Sequence, residues 1–269
     1  MLQAQNWLPR AQGSIRLGLA NGGVDVLHQA GSARVRFPRP AAEAIEAVLL
    51  NTAGGLTGGD RLDIAISLSR GAQASVTTAA AEKVYRARDA EPALVSVSLT
   101  LEHGAHLYWL PQPTILFNRA RLRRRTEIVL ADDASLLALE ILIFGRAAMG
   151  EQVALGAVYD AWRVRRAGAL VFADTFRLEG AIAEILRHEA TLNGARANAL
   201  LLYVAADAAE RLDAVRARTQ ALGAAAGAST FNGLLVVRAI GDDGGLLQRQ
   251  MGELAAWLGA RPLPRAWQA

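Results

Sequence analysis

A glycine-rich loop is the first segment of this sequence whose residues could bind a ligand. Gly54 and Gly59 have the outer spacing of a phosphate-binding loop. Asp60 and Arg61 stand where such a loop has Lys and then Ser or Thr, and an acidic side chain at that position would repel phosphate. The segment that follows alternates like a strand and not like a helix, so we predict a tight turn with positive φ rather than a nucleotide site. The turn glycines are Gly54, Gly55, Gly58 and Gly59.

Residues for metal or hydrolytic chemistry are scarce. The chain has 4 His and no Cys, which excludes thiolate zinc sites, iron–sulfur ligation, disulfides and a cysteine nucleophile. His103 and His106 flank a predicted turn and could approach one metal ion, but closed sites use more ligands, so a solvent-facing pair is the favoured alternative. The motifs G-x-S-x-G and H-E-x-x-H do not occur. The sequence therefore predicts a protein that is not an enzyme.

Alternate arginines occupy a short basic segment. If residues 119–125 form a strand, the odd-numbered side chains project from one face and could pair with carboxylates or phosphates. One alternative is an edge strand kept soluble by its charge. Another is a nucleic-acid surface, which ordinarily adds stacking aromatic side chains. With a net charge of +4, we predict an acidic protein surface as the partner. The row consists of Arg119, Arg121, Arg123 and Arg125.

A repeated strand–turn–strand unit must position these side chains. Residues 62–68 alternate apolar and polar, then break at a glycine into a second strand, and similar units follow from residues 94, 126 and 162. An alanine after each turn recurs about every 30 residues, a period typical of stacked supersecondary units. We therefore predict a layered, partly superhelical stack of β-hairpin units over residues 1 to about 180. The turn alanines are Ala72, Ala105, Ala134 and Ala169.

The last third of the chain has a different pattern. Residues 198–205 and 234–240 are apolar runs suited to buried strands, whereas 207–222 and 246–258 have helical spacing. The fold class predicted is mainly β with two α-helices in the C-terminal third. The composition, with 52% hydrophobic and 20% charged residues, is that of a globular protein, and no apolar stretch reaches the ~20 residues that a membrane-spanning helix needs.

Five short segments carry residue combinations that are far more specific together than any single motif. They are Leu50–Leu62, Ala80–Arg86, Trp109–Phe117, Phe144–Glu151 and Leu263–Trp267. In order and content they closely resemble the signature blocks and C-terminal end of the UreD family of urease accessory proteins, also called UreH. The resemblance spans nearly the whole chain.

The resemblance implies a maturation factor rather than a catalyst. It implies one UreD-like domain over residues 1–269, β-rich to about residue 180 and α/β from about 181 to 269. UreD-like proteins bind apo-urease together with the accessory proteins UreF and UreG, and GTP hydrolysis by UreG is coupled to nickel insertion into urease. Nickel is then cargo in transit, no cofactor is tightly bound, and neither nucleic acid nor a membrane is a partner. A cytoplasmic location agrees with the absence of Cys.

A transit path constrains which side chains could carry nickel. Nickel accepts nitrogen and oxygen ligands where no thiolate is offered, and conduction requires binding weak enough to release the ion. Isolated carboxylates satisfy both conditions, so we predict that the path includes Asp60, Glu82, Glu140 and Glu151. The alternative is that each is an ordinary surface or turn residue. Two rival functions remain, a basic β-rich nucleic-acid-binding module and a hydrolase or transferase on a β scaffold.

Overall fold

Alternating apolar side chains along successive segments produce two stacked β-sheets in the computed structural model, which describes residues 10–38, 45–146, 149–223 and 225–268. The strands are β1 (Gln12–Ala20), β2 (Gly23–Gly31), β3 (Ala33–Arg36), β4 (Ile45–Asn51), β5 (Arg61–Leu68), β6 (Gln73–Thr78), β7 (Glu82–Val84), β8 (Ala93–Leu101), β9 (His106–Leu110), β10 (Thr114–Leu116), β11 (Arg121–Leu130), β12 (Ser135–Phe144), β13 (Gly156–Arg166), β14 (Ala169–Gly180), β15 (Ala197–Val204), β16 (Ala225–Phe231) and β17 (Leu234–Gly241). The helices are α1 (Ile182–Arg187), α2 (Leu212–Ala221) and α3 (Gly244–Leu258), and a 3₁₀ turn spans Arg265–Trp267.

The two sheets are built by a chain that crosses repeatedly from one to the other. The first sheet has 7 strands in the order β14-β13-β11-β8-β5-β1-β2, and the second has 10, in the order β16-β17-β15-β12-β9-β6-β4-β3 with β10 and β7 attached at β12. Strands β5, β8, β11 and β13 pair in parallel in the first sheet, as do β4, β6, β9 and β12 in the second. This mainly β, superhelical stack confirms the predicted fold class.

The crossings give the stack two different edges. On the tight-turn edge, residues 69–72, 102–105 and 131–134 connect the first sheet to the second. On the loop edge, longer segments return the chain from the second sheet to the first. Turns stack because the His106 amide donates to the Ala72 carbonyl and the Ser135 amide to the Ala105 carbonyl, both at 2.9 Å.

The fourth predicted turn does not belong to this series. Ala72, Ala105 and Ala134 are buried, whereas Ala169 is exposed. The reason is topological, since β13 and β14 pair antiparallel within the first sheet and form a hairpin, so the chain does not cross over there. In the first three units the two strands of each unit lie in different sheets.

The main core lies between the sheets, and a second core lies under the helices. Strand β12 is buried along nearly its whole length, because one face meets the first sheet and the other meets α3. Leu137, Leu139 and Ile141 pack with Leu247 and Leu254 of α3. The even-numbered residues of β12 therefore face the interior between the sheets, and this places a glutamate, Glu140, inside the sandwich.

The C-terminal third contains both predicted helices, α2 and α3, and also a short helix, α1, that the sequence did not predict. Asp243 caps α3 by accepting from the amides of Gly245 and Leu246 at 2.8 and 3.0 Å, the usual role of Asp at this position. Strand β15 pairs with β12, so this third of the chain extends the second sheet. None of the helices in the described part of the chain has the length and apolarity that crossing a membrane requires.

Candidate functional site

The loop edge brings together the segments that carry the most specific sequence blocks. The Tyr85 hydroxyl donates to the Gly54 carbonyl at 3.0 Å, and its ring meets Phe117 edge-on, with centroids 4.9 Å apart. The Arg146 guanidinium lies over the Phe117 ring, 4.4 Å from its centroid. Sequence blocks that lie about 30 residues apart along the chain therefore contribute to one surface at this edge. Ala147 and Ala148 of the fourth block lie outside the described residues.

The glycine loop is a turn between strands β4 and β5, as predicted. Gly54, Gly55 and Gly59 have φ values of 77°, 148° and 83°, which side chains rarely tolerate. Gly58 corrects the prediction, because its φ is not positive. It is needed for space instead, since a Cβ there would lie 2.4 Å from the Glu91 carbonyl oxygen.

Asp60 and Glu151 fix loops, and neither lies on the cavity described below. The Asp60 carboxylate is 4% exposed and accepts from the amides of Ala11 and Thr57 at 2.8 and 2.7 Å. Glu151 accepts from Arg146 Nε at 2.7 Å and from the Asn118 amide at 3.2 Å. Although partial burial opposes it, these donors hold the pKa of Glu151 below its ordinary value.

A buried ionic cluster crosses the space between the sheets. Arg124 of β11 makes two parallel bonds to its neighbour Asp160 of β13, at 3.0 and 2.7 Å. Its Nη1 lies 2.8 Å from Oε1 of Glu140, on the opposite sheet, and donates to Thr114 Oγ1 at 3.0 Å. All of these residues are buried. One guanidinium therefore balances two carboxyl groups.

Glu82 lies next to this cluster. Of the predicted site residues outside the cluster, Glu82 has the pKa that is shifted furthest from its ordinary value. It accepts from Asn51 Nδ2 at 3.1 and 3.3 Å, and it is the register neighbour of Thr114 across β7 and β10. Desolvation raises its pKa to about 7, against the opposing effect of the Asn51 hydrogen bond. Desolvation also raises the pKa of Glu140, and Asp160 adds to that rise while Arg124 opposes it.

Two cavities meet at Glu82. One, of about 60 Å³, lies between the sheets and is lined by Glu82, Thr114, Arg124 and Glu140 among mainly apolar side chains. The other, of about 190 Å³, extends toward the loop edge past Asn51 and the glycine turn. Both are also lined by Thr78. Of the four predicted carboxylates, the structure thus brings Glu82 and Glu140 to the lining of one cavity.

The arginine row is only partly as predicted. Arg121, Arg123 and Arg125 alternate outward on β11, but Arg119 precedes the strand in a turn with φ of 63°, so the prediction of one shared face is wrong for Arg119. The edge-strand alternative is also wrong, because β11 is hydrogen-bonded on both sides, to β8 and β13.

Sequence reasoning missed the residues that hold the buried cluster, Arg124 and Asp160. A signal for Arg124 was present, since it falls in the buried phase of β11 between Leu122 and Thr126. A charged side chain at such a position requires buried partners. The two histidines of the predicted turn have separate partners, His103 with Asp133 and His106 with Ser135.

Comparisons with known proteins agree with the resemblance. The family model described as UreD urease accessory protein matches residues 11–268. Urease accessory protein UreD 3 of Bradyrhizobium sp. strain BTAi1 is 46% identical over 90% of this chain and 86% of its own length. Urease accessory protein UreD of Azorhizobium caulinodans is 46% identical over 96% of each chain, and that of Rhodopseudomonas palustris is 45% identical over 96% of this chain and 93% of its own. The chain belongs to the UreD family of urease accessory proteins, which are accessory factors and not enzymes.

Proposed function

We propose that this protein acts in the cytoplasm as a scaffold in urease maturation, binding apo-urease together with UreF and UreG and passing nickel toward the urease active site. Nickel is cargo in this role and not a resident cofactor. The observation that supports the proposal is the cavity lined by both Glu82 and Glu140, since it offers carboxylate ligands in a mostly apolar interior.

The side chains that line this cavity suit a cation that binds only transiently. An entering divalent ion favours the ionised carboxylates, so Glu82 and Glu140 exchange protons for the ion. With a pKa of about 7, Glu82 gives up its proton at little cost near neutral pH. Before an ion enters, the charge of Arg124 offsets the negative charge of the lining carboxylates, because a buried carboxylate pair with no cation would be costly. Thus the ion is held by few ligands and is readily released.

The outer face of the first sheet is the proposed partner surface. Arg61, Arg123 and Arg177 fall on one cross-strand row with Tyr159, and the Arg123 guanidinium lies 5.5 Å from the centroid of the Tyr159 ring. Arginine forks bind carboxylates bidentately, so the surface fits an acidic protein. Arg121 and Arg125 project from the same face of β11 as Arg123, and Arg119, in the turn before the strand, adds a positive charge at the adjoining loop edge.

The proposal is tested by producing urease with its other accessory proteins, with and without this chain, and measuring nickel per urease active site. We expect nickel and activity only when the chain is present. Equal loading without the chain overturns the proposal. If the chain instead binds nucleic acid with an affinity that falls steeply with salt, the basic face serves the rival function.

A further inference from the structure

The tight-turn edge, opposite the loop edge, carries three side chains whose ligand atoms converge. His103 Nδ1 lies 3.0 Å from Asp133 Oδ1 and 3.4 Å from Asp132 Oδ1. One ligand atom from each residue lies within 4.8 Å of the others. The histidine comes from one turn of the stack and the two aspartates from the next, so parallel stacking assembles the group.

These separations match the distances between ligands of a single metal ion. Nitrogen and oxygen ligands lie about 2.1 Å from an ion such as Zn²⁺, so two of them are ~3.0 Å apart at a right angle and ~3.4 Å apart at a tetrahedral angle. The contact between His103 and Asp133 is also a hydrogen bond. The longer contact, to Asp132, is beyond ordinary hydrogen-bond distance.

The charges around the group leave the two aspartates available to a cation. Within the part of the chain that the structure describes, His103 is the only basic side chain in salt-bridge contact with Asp132 or Asp133. The nearest arginine interaction, from Arg166 Nε, goes to the Asp132 carbonyl at 2.8 Å and not to its carboxylate. In a chain rich in arginine, neither of these two carboxylates is paired with an arginine among the described residues.

Backbone amides hold the Asp133 carboxylate and the turn that carries His103 in place. The Gly104 amide donates to Asp133 Oδ1 at 3.0 Å, and the Gly71 amide donates to the His103 carbonyl at 2.9 Å. Because both turns are fixed by their neighbours in the stack, an ion binding here would order few groups, which lowers the entropy cost of binding.

We propose that His103, Asp132 and Asp133 bind one divalent transition-metal ion, with water completing its coordination. One imidazole and two carboxylates suit Ni²⁺, Zn²⁺, Co²⁺ or Cu²⁺, whereas Ca²⁺ and Mg²⁺ are bound by oxygen ligands alone. All three side chains are exposed, so the ion exchanges with solvent. This site is separate from the cavity at Glu82, and it does not depend on the proposed role in urease maturation.

Calorimetric titration of the full chain with NiCl₂, and separately with ZnCl₂, tests the site. We expect a saturable event at this site that excess MgCl₂ does not suppress. His103→Ala and Asp132→Asn should each weaken it by more than the ~10-fold that loss of an outer partner costs a metal site. Asp133→Asn should do the same while keeping an acceptor for the Gly104 amide. His188→Ala, which removes another exposed imidazole, is the matched control.

Three results would overturn this assignment. They are no saturable binding by the wild-type chain, equal affinity in wild type and His103→Ala, or equal losses in His103→Ala and His188→Ala. Thermal melting of each variant reports whether it is folded. Glu82→Gln should retain the event, which distinguishes the surface site from binding in the cavity.

Discussion

At the scale of single residues, the main feature of the protein is a group of ionisable side chains buried where desolvation makes a charge unfavourable. Arg124, Asp160 and Glu140 are 7%, 3% and 6% exposed, and each depends on the others for neutralisation. Burial alone would lower the pKa of Arg124, but the two carboxylates raise it. Arg124 and Asp160 therefore form a fixed ion pair, whereas burial raises the pKa of both Glu140 and Glu82, so these two carboxyl groups can change their protonation.

Removing the guanidinium tests the cluster. Arg124→Met leaves two carboxyl groups buried without their cation, so we expect the free energy of unfolding to fall by about 3–5 kcal/mol. Urea unfolding at neutral pH measures the loss. Arg123→Met on the same strand removes an exposed charge and one cation–π contact, and should cost no more than ~1 kcal/mol. Equal losses in the two variants would contradict the assigned role.

The protonation of Glu82 should appear in the pH dependence of stability. Its pKa is about 7 in the folded protein and 4.5 in its ordinary state, so between these values the folded protein holds a proton that the unfolded chain has released. The free energy of unfolding therefore falls as the pH rises from about 4.5 to about 7. Glu82→Gln removes this contribution.

The measurement is urea unfolding of both proteins at several pH values across that window. We expect the stability of Glu82→Gln, relative to wild type, to rise with pH and to level off above pH ~7. A difference between the two proteins that is constant across the window would show that Glu82 is not perturbed.

At the scale of elements, the turn between β4 and β5 joins the loop edge to the cavity. Gly58 sits where a Cβ would lie 2.4 Å from the Glu91 carbonyl oxygen and 2.9 Å from the Ala87 Cβ. Gly54 has a positive φ but open space around it. The two glycines thus serve the same turn for different reasons, one steric and one conformational.

This difference predicts an order of stabilities. Gly54→Ala should cost about 1–2 kcal/mol, the penalty for a side chain in the left-handed region. Gly58→Ala should cost more, because the backbone of residues 87–91 must move to admit a methyl group. Thermal melting of the two variants measures the order of their stabilities. A Gly58→Ala protein as stable as wild type would refute the close-approach explanation.

The strands and helices also show which parts of the fold could be predicted from the sequence alone. Alternation predicted β5 and β8, and helical spacing predicted α2 and α3, because one face of each is buried and the other is solvated. Strand β16 was missed since its small residues, Ala225–Phe231, carry little apolar contrast. The pairing of Arg124 with Asp160 and Glu140 could not be predicted, because it depends on strand register and on which sheet faces which.

At the scale of the whole molecule, the two sheets have different neighbours. Helix α3 covers the outer side of the second sheet, while the first sheet exposes its outer side with Arg61, Arg123 and Arg177 on one row. An exposed row of arginines of this kind is suited to steering and holding an acidic partner.

Charge reversal on this face should weaken assembly. With Arg123→Glu we expect slower association and lower recovery of a complex with apo-urease, UreF and UreG, most strongly at low salt where exposed charges act furthest. Co-purification at two salt concentrations measures this effect. Arg249→Glu, an exposed arginine on α3, is the matched control. Unchanged recovery with Arg123→Glu would remove the basic face from the interface.

The central claim is that nickel passes through the cavity between the sheets, and its most direct test is nickel content per urease active site after maturation with Glu82→Gln. The matched control is Glu253→Gln, the same substitution at an exposed position of α3. We predict that Glu82→Gln lowers nickel loading several-fold while assembly with the partners is kept, and that Glu253→Gln loads like wild type. Full loading with both Glu82→Gln and Glu82→Ala would contradict the account.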